Sequence, residues 1–221
     1  MKKSLTFLLI TASILTYGQM HQFGLKGGIA KTFVESSVDI PYGSEKFGAI
    51  GGLTYEYVSP MKLFAGAELL YQQRGLKEDY LLPYSYELIT TTHHFNYLTL
   101  VAKGGVQFGK RGCFYFNVGL TPSYLINAKI STPAVAGSIL YLGGTQDISN
   151  DVNKLDLGGI AEIGGGFGIG EQMLICASLS YQKSFTSVTT NIYYKDESIK
   201  HYGIGLCLGV KYRLFSEQNE K

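Results

Sequence analysis

The sequence predicts an all-β fold, an eight-stranded antiparallel up-and-down barrel, and three observations carry that expectation. Glycine supplies 28 of the 221 residues, and the aromatics are 17 Tyr and 12 Phe with no Trp. Glycine is costly inside helices, whereas Tyr and Phe favour pleated surfaces. Eight segments alternate apolar and polar residues with period two, as strands do when their two faces meet different surroundings. The connections between these segments alternate between short and long, as in a sheet whose strands run up and down in turn.

The first element, residues 1–18, is expected to be a secretory signal: Lys2 and Lys3 are basic, Leu5 to Leu15 are largely apolar, and Thr16-Tyr17-Gly18 supplies small residues at −3 and −1 for cleavage after Gly18. Its apolar run falls short of the roughly 20 residues of a membrane helix. No cysteine precedes Cys113, so no candidate exists for a lipid-modified amino terminus. Removing Lys2 and Lys3 from the 19 basic residues leaves 17 against 17 acidic ones. That balance argues against nucleic acid as a partner, which needs a clustered basic surface.

Residues 19–215 then form the barrel. Residues 21–31 set Phe23, Leu25, Gly27 and Ile29 against Gln22, Lys26 and Gly28, and 46–58 set Phe47, Ala49, Leu53, Tyr55 and Tyr57 against Lys46, Thr54 and Glu56. Residues 62–74 place Leu63, Ala65, Ala67, Leu69 and Tyr71 opposite Glu68, Gln72 and Arg74; 96–108 place Leu98, Leu100, Ala102, Val106 and Phe108 opposite Tyr97, Thr99, Lys103 and Gln107. The scheme repeats in 113–126 (Phe114, Phe116, Val118 and Leu120 against Cys113, Asn117 and Thr121) and 155–169 (Leu157, Ala161, Ile163 and Phe167 against Asp156 and Glu162). In 173–184, Met173 to Tyr181 alternate with Cys176, Ser178, Ser180, Gln182 and Ser184, and in 200–215, Tyr202 to Leu214 alternate with His201, Cys207, Lys211 and Arg213. Ser59–Met61, Gly109–Gly112 and Gly170–Gln172 read as tight turns, and 32–45, 75–95, 127–154 and 185–199 as long loops. Residues 216–221 are a polar carboxy-terminal tail.

The distribution of aromatics decides which face points outward. On the apolar face, Phe47, Tyr71, Tyr181 and Tyr202 fall at the loop end and Tyr55, Tyr57, Phe108, Phe114, Phe167 and Tyr212 at the turn end, with aliphatic residues between. Two aromatic levels flanking an apolar band are the marks of a transmembrane barrel with short periplasmic turns and long extracellular loops, its partner the outer-membrane lipid. The opposite face, with Lys26, Glu56, Glu68, Arg74, Lys103, Asp156, Glu162, Lys211 and Arg213, must fill the lumen. Eight strands enclose little more than their own side chains, so a packed polar core is expected, with Glu68 and Lys103 as the preferred ion pair.

Phe23-Gly24-Leu25-Lys26-Gly27-Gly28 and Glu68-Leu69-Leu70-Tyr71-Gln72-Gln73-Arg74-Gly75 are similar to the first and third strands of the outer-membrane β-barrel domain proteins of Bacteroidetes, a family that includes the PorT-like proteins. Asn96-Tyr97-Leu98 with Leu100-Val101-Ala102-Lys103 resembles the fourth, Gly119-Leu120-Thr121-Pro122-Ser123-Tyr124-Leu125 the glycine-proline strand, and Gly209-Val210-Lys211-Tyr212-Arg213-Leu214-Phe215 the closing strand. The resemblance covers nearly the whole mature chain and concerns architecture. The chain departs from it at Thr99 and Val101, where members usually carry an acidic residue and a proline. It implies an outer-membrane location in a Gram-negative bacterium and, for some members, assistance to protein secretion through envelope partners.

Candidate chemistry is sparse, and no motif implies a cofactor. Gly164 to Gly170 is glycine-rich, but it lies in a period-two strand without the Lys-Ser/Thr of a phosphate loop. His93, His94 and His201 lack the spacing of a metal site, and no serine is marked as the partner of His201 in a lipid-cleaving relay. Cys113, Cys176 and Cys207 all face inward; Cys176 and Cys207 stand on neighbouring strands, either as inert core residues or as a cross-strand disulfide. The loops 75–95 and 127–154 are rich in Leu, Ile and Tyr. Either they pack over the barrel mouth or they rise as hairpins that bind a partner. The reading is a non-enzymatic structural or partner-binding barrel, against a lipid-modifying enzyme or a small-solute channel.

Overall fold

The computed structural model describes residues 20–36, 43–81, 88–109, 112–134, 143–188 and 199–215. The expected signal segment and tail lie outside them. The described residues form β1 (Met20–Ser36), β2 (Gly43–Ser44), β3 (Lys46–Val58), β4 (Leu63–Leu81), β5 (Leu88–Phe108), β6 (Gly112–Thr132), β7 (Gly144–Asp147), β8 (Leu155–Ile169), β9 (Met173–Ser184) and β10 (Ile199–Phe215).

Eight of these close a ring, β1-β3-β4-β5-β6-β8-β9-β10 and back to β1, with every neighbouring pair antiparallel. Closure removes the unpaired backbone edges that a bilayer could not hydrate. The alternation read from the sequence is the observed facing: Leu25, Leu53, Leu69, Leu100, Leu120, Ile163, Leu179 and Leu208 are exposed on the outside, while Glu56, Glu68, Lys103, Glu162 and Lys211 are buried inside. Met20 pairs with Phe215, so the described chain ends meet at one end of the barrel, the end that also holds the turns at residues 59–61 and 170–172. Gly170 (φ 66°) supplies the left-handed backbone that one of those turns needs.

The strands run further than their sequence alternation indicated. A strand crosses a bilayer in roughly 9–11 residues, yet β4 has 19 and β5 and β6 have 21 each. The segment read as a loop at 75–95 is largely a hairpin, paired as far as Leu81 with Leu88. β7 adds a strand to the outer end of β6, and β2 adds one to the outer end of β4.

The extensions escaped the sequence reading because their amphipathic sense inverts. In β4 the outward residues pass from Leu69 and Tyr71 to Gln73, Lys77 and Asp79, while the inward ones pass from Glu68, Gln72 and Arg74 to the buried Leu76. In β6 the switch has a bulge. Asn96 pairs with Asn127 but Tyr97 pairs with Leu125, so Ile126 is the extra residue. With it, Leu125 and Ala128 both turn inward and Lys129 outward.

Candidate functional site: the filled lumen

The lumen is packed in layers. Nearest the turns, Val58, Phe64, Tyr115 and Cys176 form an apolar cluster with Met20 against it. The centre is ionic. Lys211 donates to both oxygens of Glu56 at 2.8 and 2.7 Å, Lys103 lies 2.7 Å from Glu56 and 2.5 Å from Glu68, and Lys26 contacts Glu68 at 3.3 Å and also Glu162. Glu162 lies 3.8 Å from Lys103 and accepts from Asn117 at 3.2 Å and from Ser178 at 3.3 Å. Three ammonium groups and three carboxylates, delivered by six of the eight wall strands, thus form one connected network, closed through Lys103, Glu68, Lys26 and Glu162 with Glu56 and Lys211 branching from Lys103. Several strong partners per group are what offset the desolvation of buried charge.

Toward the outer end, Arg74 donates to Asp156 at 2.6 Å, to Gln72 at 2.8 Å and to Ser123 at 3.1 Å, and its guanidinium lies 4.7 Å from the centre of the Tyr97 ring. Asp156 also accepts from Ser184 and Thr186 at 2.8 and 2.7 Å. Above this sits an apolar cap of Leu76, Phe95, Tyr97, Leu125, Ala128, Val152 and Val188, with Val34 and Ile148 packed on it.

The sequence-predicted lumen residues Lys26, Glu56, Glu68, Arg74, Lys103, Glu162 and Lys211 all come together in these contacts, and Arg213 is buried on the same face. Asp156 joins them as the counterion of Arg74. The cap was not legible as a unit, because apart from Tyr97 its members come from the ends of the strands where the alternation inverts and from Val152 and Val188 between strands. The glycine run leaves room in the lumen: a Cβ on Gly164 would lie 2.3 Å from the Tyr115 ring.

On the outside, Phe47, Tyr55, Tyr71, Phe108, Phe114, Phe167, Tyr181 and Tyr212 are exposed, and Tyr57 and Tyr202 are half-buried on the same face. Phe23, Phe33, Tyr124 and Phe185 join them: Phe23 packs on Tyr55 at 4.9 Å and Phe33 stacks on Tyr202 at 5.1 Å. In the extramembrane part, the Ser149 hydroxyl and amide hold the Asp147 carboxyl below its usual range, the amide donating at 2.8 Å.

Of the two alternatives open for Cys176 and Cys207, the structure has the free, buried pair, and Cys113 is free as well. Cys176 faces Gly209 and Cys207 faces Ser178, so the two thiols are diagonal across the ladder. Diagonal positions lie roughly 7–8 Å apart, beyond the usual span of a disulfide. Among the described residues, no group of three His, Cys, Asp or Glu side chains could hold a metal ion. His201 is buried against Phe95 and Tyr97, with neither ring nitrogen hydrogen-bonded among the described residues.

Similar solved structures include Ail of Yersinia pestis in complex with the heparin analogue sucrose octasulfate, at 17% identity, 88% of this chain and 99% of that one, and a TM-score of 0.42. Neisserial surface protein A aligns at 14% identity over 86% of this chain and 96% of that one, with a TM-score of 0.46. The N-terminal β-barrel domain of Pseudomonas aeruginosa OprF aligns at 13% identity over 89% and 99%, with a TM-score of 0.40. No curated protein matches the sequence. The family model of the outer membrane protein beta-barrel domain matches residues 16–190, and the chain, a transmembrane barrel of the Gram-negative outer membrane, belongs to that family.

Proposed function

We propose that the protein is a non-enzymatic outer-membrane barrel that serves as a structural or partner-binding element at the cell surface. The filling of the lumen carries this reading. A three-lysine, three-glutamate circuit, an Arg74–Asp156 layer and an apolar cap lie one above another. A solute would have to break all three to pass. The parts left to meet a partner are the outer hairpins of β4/β5 and β6/β7, where Leu88 is 61% exposed on an otherwise polar outer wall. The strand-motif resemblance to the PorT-like proteins supports an accessory role in secretion as the finer form.

The test has two arms. In planar bilayers the purified protein should show no stepwise conductance, and steady openings would overturn the sealed lumen in favour of a channel. A photo-crosslinking residue at position 88, activated in intact cells, should give a discrete protein adduct. A lipid-profile change on deletion, with no adduct, would favour the lipid-modifying enzyme.

A further inference from the structure

Beside the Arg74–Asp156 contact lies a cavity of about 30 Å³ whose wall includes Thr32, Gln72, Arg74, Ser180, Ser184 and His201. That is room for about two waters, or for one monatomic anion. Two anomalies border it. His201 is 2% exposed with both ring nitrogens unpartnered, and the Tyr97 hydroxyl, on the ring packed edge-on against it at 6.3 Å, is also buried without a partner. Buried polar groups of this kind nearly always have a partner.

The second anomaly is one of charge. Lys46 is 7% exposed, and its ammonium donates to the Arg74 carbonyl at 3.3 Å, with no carboxylate in ion-pair range among the described residues. Thr32, a wall residue of the cavity, donates to the Lys46 carbonyl at 3.0 Å, so Lys46 adjoins that wall. The central circuit is balanced and Arg74 is matched by Asp156. Lys46 therefore leaves this level of the lumen with one cation in excess. An uncompensated buried charge is costly, and in a poorly solvated interior its field is felt across several ångströms.

We propose that this cavity binds a small inorganic anion of the halide class, which accepts a hydrogen bond from the His201 ring and sits in the field of Lys46 and Arg74. One ligand then partners the buried His201 N–H and offsets the excess charge. Water would satisfy the ring but leave the charge, and an organic acid would exceed the space. The hydroxyls of the wall are already committed, Thr32 to the Lys46 and Gly75 carbonyls, Ser184 to Asp156 and Ser180 to the Gly205 carbonyl at 3.5 Å. Among the wall residues that leaves the imidazole N–H as the unused donor.

Crystals soaked in sodium bromide provide the direct test. An anomalous peak within hydrogen-bond reach of His201 is the expected result, and density with no anomalous signal, an ordered water only, overturns the proposal. In detergent, the wild-type protein should melt a few degrees higher in sodium chloride than in sodium gluconate at equal ionic strength, because an anion bound only by the folded state stabilises it. Lys46→Met should abolish that difference; an undiminished difference would overturn the role of Lys46. Should that variant not fold, the bromide experiment on the wild-type protein still decides.

Discussion

The centre of the lumen and its outer cap are filled by opposite chemistry within the same strands. At the centre, Lys26, Lys103 and Lys211 meet Glu56, Glu68 and Glu162, while the outer wall shows Leu, Ile and Val. At the outer end, Leu76, Phe95, Leu125 and Ala128 fill the interior, while Lys77, Thr90 and Lys129 line the outside. The difference lies in the solvent around the wall. Where lipid surrounds the barrel, apolar residues go outward and the polar set must be satisfied internally; where water surrounds it, the ordinary soluble arrangement returns. The inversion, near Tyr71 in β4, Leu98 in β5 and Ile126 in β6, marks the outer membrane boundary.

The largest effect should come from breaking the centre. Lys103 touches Glu56, Glu68 and Glu162, so Lys103→Met leaves a carboxylate excess inside. We expect a loss of about 3–5 kcal/mol, read as a lowered temperature for the heat-induced mobility shift in detergent gels. Adding Glu68→Gln should recover part of it. A double variant no more stable than the single one would mean that the circuit does not act as a charge-balanced unit.

Phe95→Ala tests the cap. Phe95 is 4% exposed and touches His201 as well as the apolar cluster. Its truncation should cost about 3 kcal/mol, confined to the outer hairpins. The barrel should keep its gel mobility while proteolysis above the membrane accelerates. Loss of the whole barrel at the same temperature would show that cap and centre unfold as one.

The contrast explains what could be read from sequence. Period-two alternation gave the eight wall segments and assigned Glu68 and Lys103 to one interior, because a single rule, apolar outward, held from one interface to the other. The same rule fails beyond Gln73 in β4. Leu76 and Lys77 have exchanged roles there, so a continuous strand reads as the start of a loop. Asp156 as the counterion of Arg74 was not legible either, since that pairing depends on the stagger of strands far apart in the chain.

A smaller effect separates the two outer walls on one strand. Leu120 and Lys129 both face outward on β6, the first against lipid and the second against water. Leu120→Lys should destabilise by about 2 kcal/mol, and Lys129→Leu should change the unfolding free energy by less than about 0.5 kcal/mol. Chemical denaturation in lipid vesicles measures both. Equal costs would place the boundary elsewhere.

The smallest effect belongs to a charge that water still reaches. Asp147, on β7 above the membrane, has its carboxyl held below the usual range by the Ser149 hydroxyl and amide. A depressed carboxyl stabilises above its unfolded pKa, and the contribution disappears as pH falls through the folded value. Acidification below about pH 4 should therefore release the Ser149 amide, seen as faster hydrogen exchange at that residue, with the melting temperature of the barrel unchanged. Asp147→Asn should remove the pH dependence at Ser149. If the exchange rate of Ser149 stayed pH-dependent in that variant in excess of the intrinsic chemistry, the hold on the turn would lie in another group.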